Sequence, residues 1–488
     1  MPQEKGFFGH PRGLATLFFT EMWERFSYYG MRGILILFMV DAIQTGGLGL
    51  TTGRAAAIYG LYTAAAYLTA LPGGWLADRI FGARNSVFYG GILIAAGQIT
   101  LALSATTQAG FFTGLLLVVS GTGLLKPNVS AIVGDLYPDG GARRDAGFSV
   151  FYMGINIGAF VGPLICGYLG ENIAWNLAFW AAGIGMILGL IQYKVGVGLG
   201  KLGGPPKPTA EEKASTNKTL GVVIVSIAAV VAILYWLNTS GIFTFSLQQA
   251  AAATGVLIFG LVVVYFAIAL MFGGFTTAEN KRLVVIFFLF LGSALFWSGF
   301  EQAGSALNLF ADQFTDRVIL GWEAPASWLQ AVNPIFIIIG APVFGSLWLA
   351  LGKWNPSLPL KFAYGLVLLG LGFLVMAWAA VYATPTDGVS PMWLVVTYFL
   401  HTSGELCLSP IGLSSITKLS PKKLVGQMMG IWFMGTSLGN LIAGLAAGQM
   451  ENRPLTQLFG TVAIVSLGSG FLFFLFKGPI RRLQGGVE

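Results

Sequence analysis

The sequence predicts an all-α membrane protein with fourteen transmembrane helices, and three observations carry that expectation. The composition is 55% hydrophobic and only 10% charged, with a mean hydropathy of +0.76, far from the usual soluble balance. Apolar runs of bilayer-spanning length recur between polar breaks. The Lys and Arg residues fall overwhelmingly on alternate loops, as the positive-inside rule requires. The 68 glycines fit the same picture, because small residues let helices approach closely in lipid.

The spans are expected near 14–40, 54–79, 84–104, 109–136, 143–170, 174–196, 218–238, 247–272, 283–313, 325–351, 359–382, 390–416, 422–449 and 456–478. With both termini placed in the cytoplasm, 21 of the 27 basic residues lie in cytoplasmic segments, 3 (Arg54, Arg317, Arg453) lie outside and 3 lie within helices. The +7 net charge is therefore an orientation signal and calls for no nucleic-acid partner. The start of the chain, MPQEKGFFGHPRG, lacks the apolar core and small-residue cleavage site of a removable signal peptide, so the first helix is expected to stay. Cys166 and Cys407 lie far apart in apolar stretches and suggest neither a disulfide framework nor a metal cluster.

An internal repeat organises these spans. FYMGINIGA (Phe151 to Ala159) resembles WFMGTSLGN (Trp432 to Asn440), with Gly154 and Gly158 matching Gly435 and Gly439 at an offset of 281. Upstream, GTGLLKP (Gly121 to Pro127) aligns with GELCLSP (Gly404 to Pro410) at 283. Repeated halves mark a transporter whose site lies between two bundles near the bilayer midplane. Six helices per half leave two over. The expected organisation is thus a six-helix bundle over 1–196, a Gly/Pro-rich cytoplasmic linker over 197–217, a two-helix insertion over 218–280, a second bundle over 281–478 and a cytoplasmic tail over 479–488. The insertion carries no Asp, Glu, Lys, Arg or His between Lys218 and Glu279, so it is expected to face lipid and do no chemistry.

Charge inside a spanning helix is costly and usually faces a cavity or a partner. The interior set is Glu21, Glu24, Arg25, Arg32, Lys126, Glu301 and Glu405. Glu21 and Arg25 are an i,i+4 pair with Glu24 between them, and Arg32 follows two turns later, so the first helix is expected to present a charged stripe toward the pore. Buried ion pairs can also serve packing alone. Seven charges spread over both halves exceed what packing needs.

These residues resemble the proton-coupled oligopeptide transporters, a bacterial-type branch of the major facilitator superfamily. EMWERFSYYG fits the ExxERFxYYG motif, FSVFYMGINIGAF (Phe148 to Phe160) a second motif, and GGWLADRIFGARNSV (Gly73 to Val87) the loop motif, with Ser86 where Thr, Ala or Val is commoner. FEQAGSALNLFAD and GELCLSPIGLS resemble the seventh and tenth core helices. The resemblance implies the major facilitator fold, two six-helix bundles with two extra helices between them, and a symporter that imports di- and tripeptides with protons by alternating access. It assigns the peptide carboxylate to Arg32 and Lys126, the amino terminus to Glu405, and backbone hydrogen bonds to Asn156 and Asn333. It lines the pocket with Tyr28, Tyr29, Tyr67, Trp297 and Trp432, and gives proton coupling to Glu21, Glu24, Arg25 and Glu301. Protons are the coupling ion; no cofactor, metal or enzymatic activity is implied, and a monomer in the inner membrane is expected.

The chemistry is self-consistent. A dipeptide carries an ammonium and a carboxylate about 7 Å apart when extended, so cations from one half facing a carboxylate from the other measure backbone length and ignore side chains. A Glu301–Arg32 pair would hold the outer side closed until Glu301 takes a proton, and Glu21, Glu24 and Lys126 would form a second switch. His401, one turn before Glu405, is placed to tune it. The nearer alternative is a related facilitator for another anion or zwitterion, such as nitrate or a peptide-like drug. The more distant one, a membrane-embedded enzyme or channel, finds no HExxH, GxSxG or nucleotide loop.

Overall fold

The computed structural model describes residues 6–138, 141–199, 202, 221, 240, 246–384 and 386–486. Among them the long helices are α1 (Arg12–Val40), α2 (Thr52–Leu68) with its continuation α3 (Ala70–Leu76), α4 (Ala83–Ser104), α5 (Gln108–Asp135), α6 (Gly141–Asn172) and α7 (Trp175–Gly198). After the gap come α8 (Leu247–Phe272), α9 (Thr277–Phe300) with its continuation α10 (Ala306–Phe314), α11 (Val332–Leu351), α12 (Leu358–Tyr382), α13 (Met392–Leu419), α14 (Val425–Ala447), α15 (Leu455–Leu475) and the short α16 (Lys477–Gln484). Thirteen of the fourteen expected spans coincide with these segments. The span 218–238, most of the linker 197–217, Lys5 and residues 487–488 lie outside the described residues.

Local chemistry sets several boundaries. Ser246 with Gln249, and Thr276 with Glu279, form reciprocal capping boxes that start α8 and α9. The only strands among the described residues form a small antiparallel hairpin, Val318–Ile319 against Trp322–Glu323, turned through Leu320 and Gly321 at positive φ. One expected span is interrupted: the segment 283–313 breaks into a 3-10 turn at Glu301–Gly304, and Ser305 leaves helical geometry altogether (φ −128°, ψ −95°) before α10 resumes.

Glycine decides how the helices meet, and it does so twice in the same way. In the first half α6 lies on α1, where a Cβ on Gly154 would come within 2.9 Å of the Phe18 ring and one on Gly158 within 2.8 Å of Arg25 Cβ and 2.9 Å of the Phe26 amide nitrogen. In the second half α14 lies on α9, where a Cβ on Gly439 would fall 2.9 Å from both the Ala294 oxygen and the Ser298 nitrogen. The repeat seen in the sequence is therefore the imprint of one packing solution, the fifth core helix pressed onto the first.

The two halves touch along α2 and α14, and along α6 and α11. At the first crossing Gly60 and Gly444 face each other so closely that a Cβ on Gly444 would lie 2.6 Å from Gly60 Cα. Helix α8 adds to this crossing, packing on both α14 and α2 with Ala251, Ile258, Val262, Phe266 and Ala269 buried, and Phe266 also meets Phe287 of α9. It is more than a lipid-facing spacer, although Val256, Leu257, Leu261 and Val264 on its other side are exposed.

Because these glycine contacts are with backbone atoms that cannot rotate away, Gly158→Ala and Gly439→Ala should each destabilise by about 1–3 kcal/mol. Gly460→Ala and Gly468→Ala, whose added methyl would meet open space, should be near neutral. Thermal unfolding of the four purified variants in one detergent compares them; equal melting temperatures would contradict the packing account.

Candidate functional site

Arg32, on α1, reaches across to the second half and forms a buried ion pair with Glu301 through Nη2. The two side chains are 9% and 4% exposed. Arg32 Nε donates to the Tyr59 hydroxyl at 2.8 Å, and the guanidinium lies 5.6 Å from the Tyr29 ring centroid. The helix break after Phe300 is what brings Glu301 to this position. Gly304 closes the turn beneath it: a Cβ there would stand 3.1 Å from Arg32 Nε and nearer still to the Tyr59 hydroxyl. Only glycine lets the arginine and tyrosine stay where they are.

Around this pair one cavity gathers Tyr29, Arg32, Tyr67 and Asn156 from the first half with Trp297, Glu301, Asn333 and Glu405 from the second. Asn333 Nδ2 donates to Thr402 Oγ1 at 2.8 Å and to Glu405 Oε2 at 3.4 Å. Asn156 commits its amide NH2 to the Tyr152 carbonyl, 2.9 Å, one turn earlier. Lys126, which is not itself a wall residue, stands over the ring of the wall residue Tyr67 with Nζ 3.8 Å from the centroid, a cation–π contact. Neither Lys126 nor Glu405 is in any ion pair formed among the described residues.

Several expected positions fall elsewhere. The first helix does not turn one continuous charged stripe to the cavity. Arg25 is sealed between Glu21 Oε1, 2.8 Å from its Nε, and Glu24 Oε2, 2.6 Å away, all three almost fully buried. Gly158 presses α6 onto the backbone beside this triad, which is why it faces the bundle. Lys126 pairs with an aromatic face, not with Glu21 or Glu24. Tyr28, one helical step from Tyr29, turns inward to lie along Tyr62 (ring centroids 6.5 Å, 25°). Trp432 is buried against Phe362 and over Gly412, within the second half. His401 borders the cavity but packs on Phe373, with ring centroids 4.9 Å apart, while Glu405 takes its bond from Asn333.

Other residues carry the site without having been singled out. Tyr152, Phe300, Gln330 and Tyr398 complete the cavity wall, and Tyr59 anchors Arg32. Two carboxylates also fasten the halves at the end expected to face outside. Glu171, at the end of α6, accepts from the Ala326 nitrogen (2.6 Å), the Ser327 nitrogen (3.1 Å) and Ser327 Oγ (2.5 Å), where the chain turns into α11. Glu451, just past α14, accepts from the Thr52 nitrogen at 2.7 Å, at the start of α2. Each is a carboxylate on backbone N–H groups at the start of a helical segment, buried groups that have no partner within the helix, the arrangement that favours negative charge. The two sit 280 residues apart, one short of the 281 offset that relates Gly158 to Gly439, so extending the repeat past Gly158 sets Glu171 against Asn452, beside Glu451. Bonds from Asn308 and Gln330 to the Gly33 carbonyl and from Trp328 to the Leu164 carbonyl lie at the same end.

Residues 84–464 match the model of the POT family. The chain is 42% identical to the peptide transporter YePEPT of Yersinia enterocolitica, over 100% of this chain and 98% of that protein. It is 35% identical to the di-/tripeptide transporter of Lactococcus lactis subsp. cremoris, over 99% of each. The crystal structure of a peptide transporter POT in complex with sulfate superimposes with a TM-score of 0.92 at 42% identity, covering 99% of this chain and 97% of that one. That of a POT family transporter in complex with 5-aminolevulinic acid gives 0.89 at 36% identity, covering 98% and 99%.

Neutralising the two fastening carboxylates should weaken closure at that end. Each loses a charge-assisted bond worth about 1 kcal/mol, so Glu171→Gln with Glu451→Gln should shift the balance toward the outward-open form by roughly an order of magnitude or more. Ser305, fully buried behind the closure, serves as a reporter when changed to Cys in a background lacking Cys166 and Cys407. Faster reaction with a membrane-impermeant maleimide added outside is the expected outcome, and an unchanged rate would deny the fastening role.

Proposed function

Because the chain belongs to the POT family and is a multi-pass membrane protein of the major facilitator fold, a transporter and not an enzyme, we propose that it imports di- and tripeptides together with protons by alternating access. One observation supports this reading: Arg32 of the first half and Glu405 of the second line one cavity, Lys126 stands on the ring of its wall residue Tyr67, and neither Lys126 nor Glu405 is in an ion pair among the described residues. A zwitterionic peptide supplies both missing charges, its carboxylate to Arg32 and Lys126 and its ammonium to Glu405. Asn156 and Asn333 offer hydrogen bonds to the backbone between, and Tyr29, Tyr67 and Trp297 give apolar walls that accept varied side chains.

The proton enters at Glu301. While ionised it holds Arg32 and keeps the outer side shut; once protonated it no longer compensates the guanidinium, which turns to the peptide carboxylate. Binding at both poles draws the bundles 1–196 and 281–478 together, with the insertion 218–280 joining them, and the inner side then opens. Glu21 and Glu24 with Arg25 form a second protonatable cluster that reports the state of the first half. In the inner membrane, with both termini in the cytoplasm, an inward proton moves down the potential and contributes about 2.3 kcal/mol per 100 mV.

Uptake of radiolabelled dialanine into sealed proteoliposomes under an inward proton gradient tests the proposal. The parent should accumulate substrate in a protonophore-sensitive way and faster as the outside becomes more acidic, because protonation of Glu301 is the opening step. Glu301→Gln should retain peptide exchange and lose accumulation. Glu405→Gln should raise the KM for dialanine by about tenfold or more, since a hydrogen bond to a charged group is worth about 1.5–3 kcal/mol. Absence of both uptake and exchange from folded parent protein would overturn the peptide assignment.

A further inference from the structure

Helix α8 contributes no residue to the central cavity, yet it lies where the two halves meet, and its attachment to them is uneven. It belongs to the second half from end to end. Only the short turn 273–276 separates it from α9, where Thr276 and Glu279 start the next helix with a capping box. Towards the end expected to face the cytoplasm, the Tyr265 hydroxyl donates to Gln427 Oε1 of α14, and Phe266 meets Phe287 of α9 with ring centroids 5.3 Å apart. Further up, a Cβ on Gly255 would lie 3.3 Å from Leu441 Cδ2 of α14.

The first half is met at the opposite end, the one expected to face outside. Gln248 Nε2 lies 3.1 Å from where a Cβ on Gly53 would stand, at the start of α2. Ala251 is fully buried and shares a cluster with Ala57 and Ala64 of α2 and Leu441 of α14, against which Leu247 packs. These α2 residues lie on either side of Gly60, the point of closest approach to Gly444, and the Glu451 bond to the Thr52 nitrogen lies just above them. A second bond across the same seam runs from Ser437 Oγ to the Ala64 carbonyl, 3.0 Å. Helix α8 therefore flanks a closed seam, fixed to one side of it and resting on the other.

We propose that α8 is a strap that travels with the second half and holds α2 against α14, so that the outer end of this crossing opens only when the first half leaves the strap as well. The proposal rests on the alternating-access reading above and on no property of the substrate. Between helices in lipid there is no hydrophobic drive, so the hold is made of close packing, which the small residues Gly53, Ala57, Ala64 and Ala251 permit. Trimming the α8 side chains that rest on α2 should then favour the outward-open form without touching Glu171, Glu451 or the Arg32–Glu301 pair.

Two measurements on the full-length protein test the strap. In the background lacking Cys166 and Cys407, with Ser305→Cys as reporter, Leu247→Ala combined with Gln248→Ala should speed labelling by an impermeant maleimide added outside by about threefold to tenfold. Val256→Ala combined with Leu257→Ala, on the exposed side of α8, should leave the rate as it was. In the second measurement, without the reporter, Gly53→Cys and Gln248→Cys are joined by a short reducible bifunctional thiol reagent, which should stop dialanine exchange until reductant is added. Tyr265→Cys and Gln427→Cys, joined in the same way within the second half, should leave exchange running. The linked pairs decide the matter should the alanine pair fail to fold. Labelling indifferent to the alanine pair, exchange that survives the first link, or exchange stopped by the second would overturn the strap. Absence of exchange from the unlinked parent would count against the peptide reading instead, and the labelling rates alone would then decide.

Discussion

The buried pair between Arg32 and Glu301 is the contact on which the rest of the arrangement depends. Two charges with side chains less than a tenth exposed are stable only together, because losing either partner leaves an uncompensated charge away from water. Several otherwise odd features follow from keeping them together. The helix through Glu301 must break so that the carboxylate can face α1; the turn must close with a glycine; and Tyr59 must supply a hydroxyl to the guanidinium edge that Glu301 does not cover. The same pair joins the two halves, so exchanging partners at one arginine is also a change in how the bundles meet.

Around that contact the two halves use one packing plan with different chemistry. Gly154 and Gly158 seat α6 on α1, as Gly435 and Gly439 seat α14 on α9. Next to Gly158 stands Arg25, locked between two glutamates; next to Gly439 stands Trp297, an indole on the cavity wall. Equivalent places on the first core helix have thus diverged, one to a sealed ion cluster and one to a binding surface. At the end expected to face outside the plan converges again, with Glu171 and Glu451 each capping a helical segment of the opposite half. In the proposed alternating-access cycle, pseudosymmetric contacts of this kind would let both crossings open in one rocking step.

Much of this was legible in the sequence because lipid imposes simple rules. Span length, basic loops and the cost of interior charge placed thirteen described helices and the charged set Glu21, Glu24, Arg25, Arg32, Lys126, Glu301 and Glu405. What could not be read was direction. A helix apolar all round carries no pattern that distinguishes its cavity face from its bundle face. Tyr28 and Tyr29 are neighbours in sequence and point to different surroundings; Trp432 fills a gap over Gly412, while Tyr152 and Tyr398, unremarkable in sequence, border the cavity. The break at Glu301 was hidden although Ser298, Gly299, Gln302, Gly304 and Ser305 interrupt the apolar run there, because in lipid small residues such as these serines and glycines also serve close helix packing.

The charge balance within the membrane gives the last step. Arg25 is shared by Glu21 and Glu24, a triad that keeps one net negative charge, and Arg32 answers Glu301; Lys126 lies on an aromatic ring and Glu405 takes an amide bond. These two are the members of the set that form no ion pair among the described residues, one cationic and one anionic, one in each half. A cation–π contact and a single amide bond recover only part of what desolvation costs a full charge. A molecule with opposite charges at its two ends is therefore stabilised at both poles at once, and only when the halves are close enough for it to reach both. An anion alone would satisfy Lys126 and leave Glu405 as it is, which is why the proposed substrate is a zwitterion of backbone length and not a simple anion, with closure around it the step the proposal assigns to substrate binding.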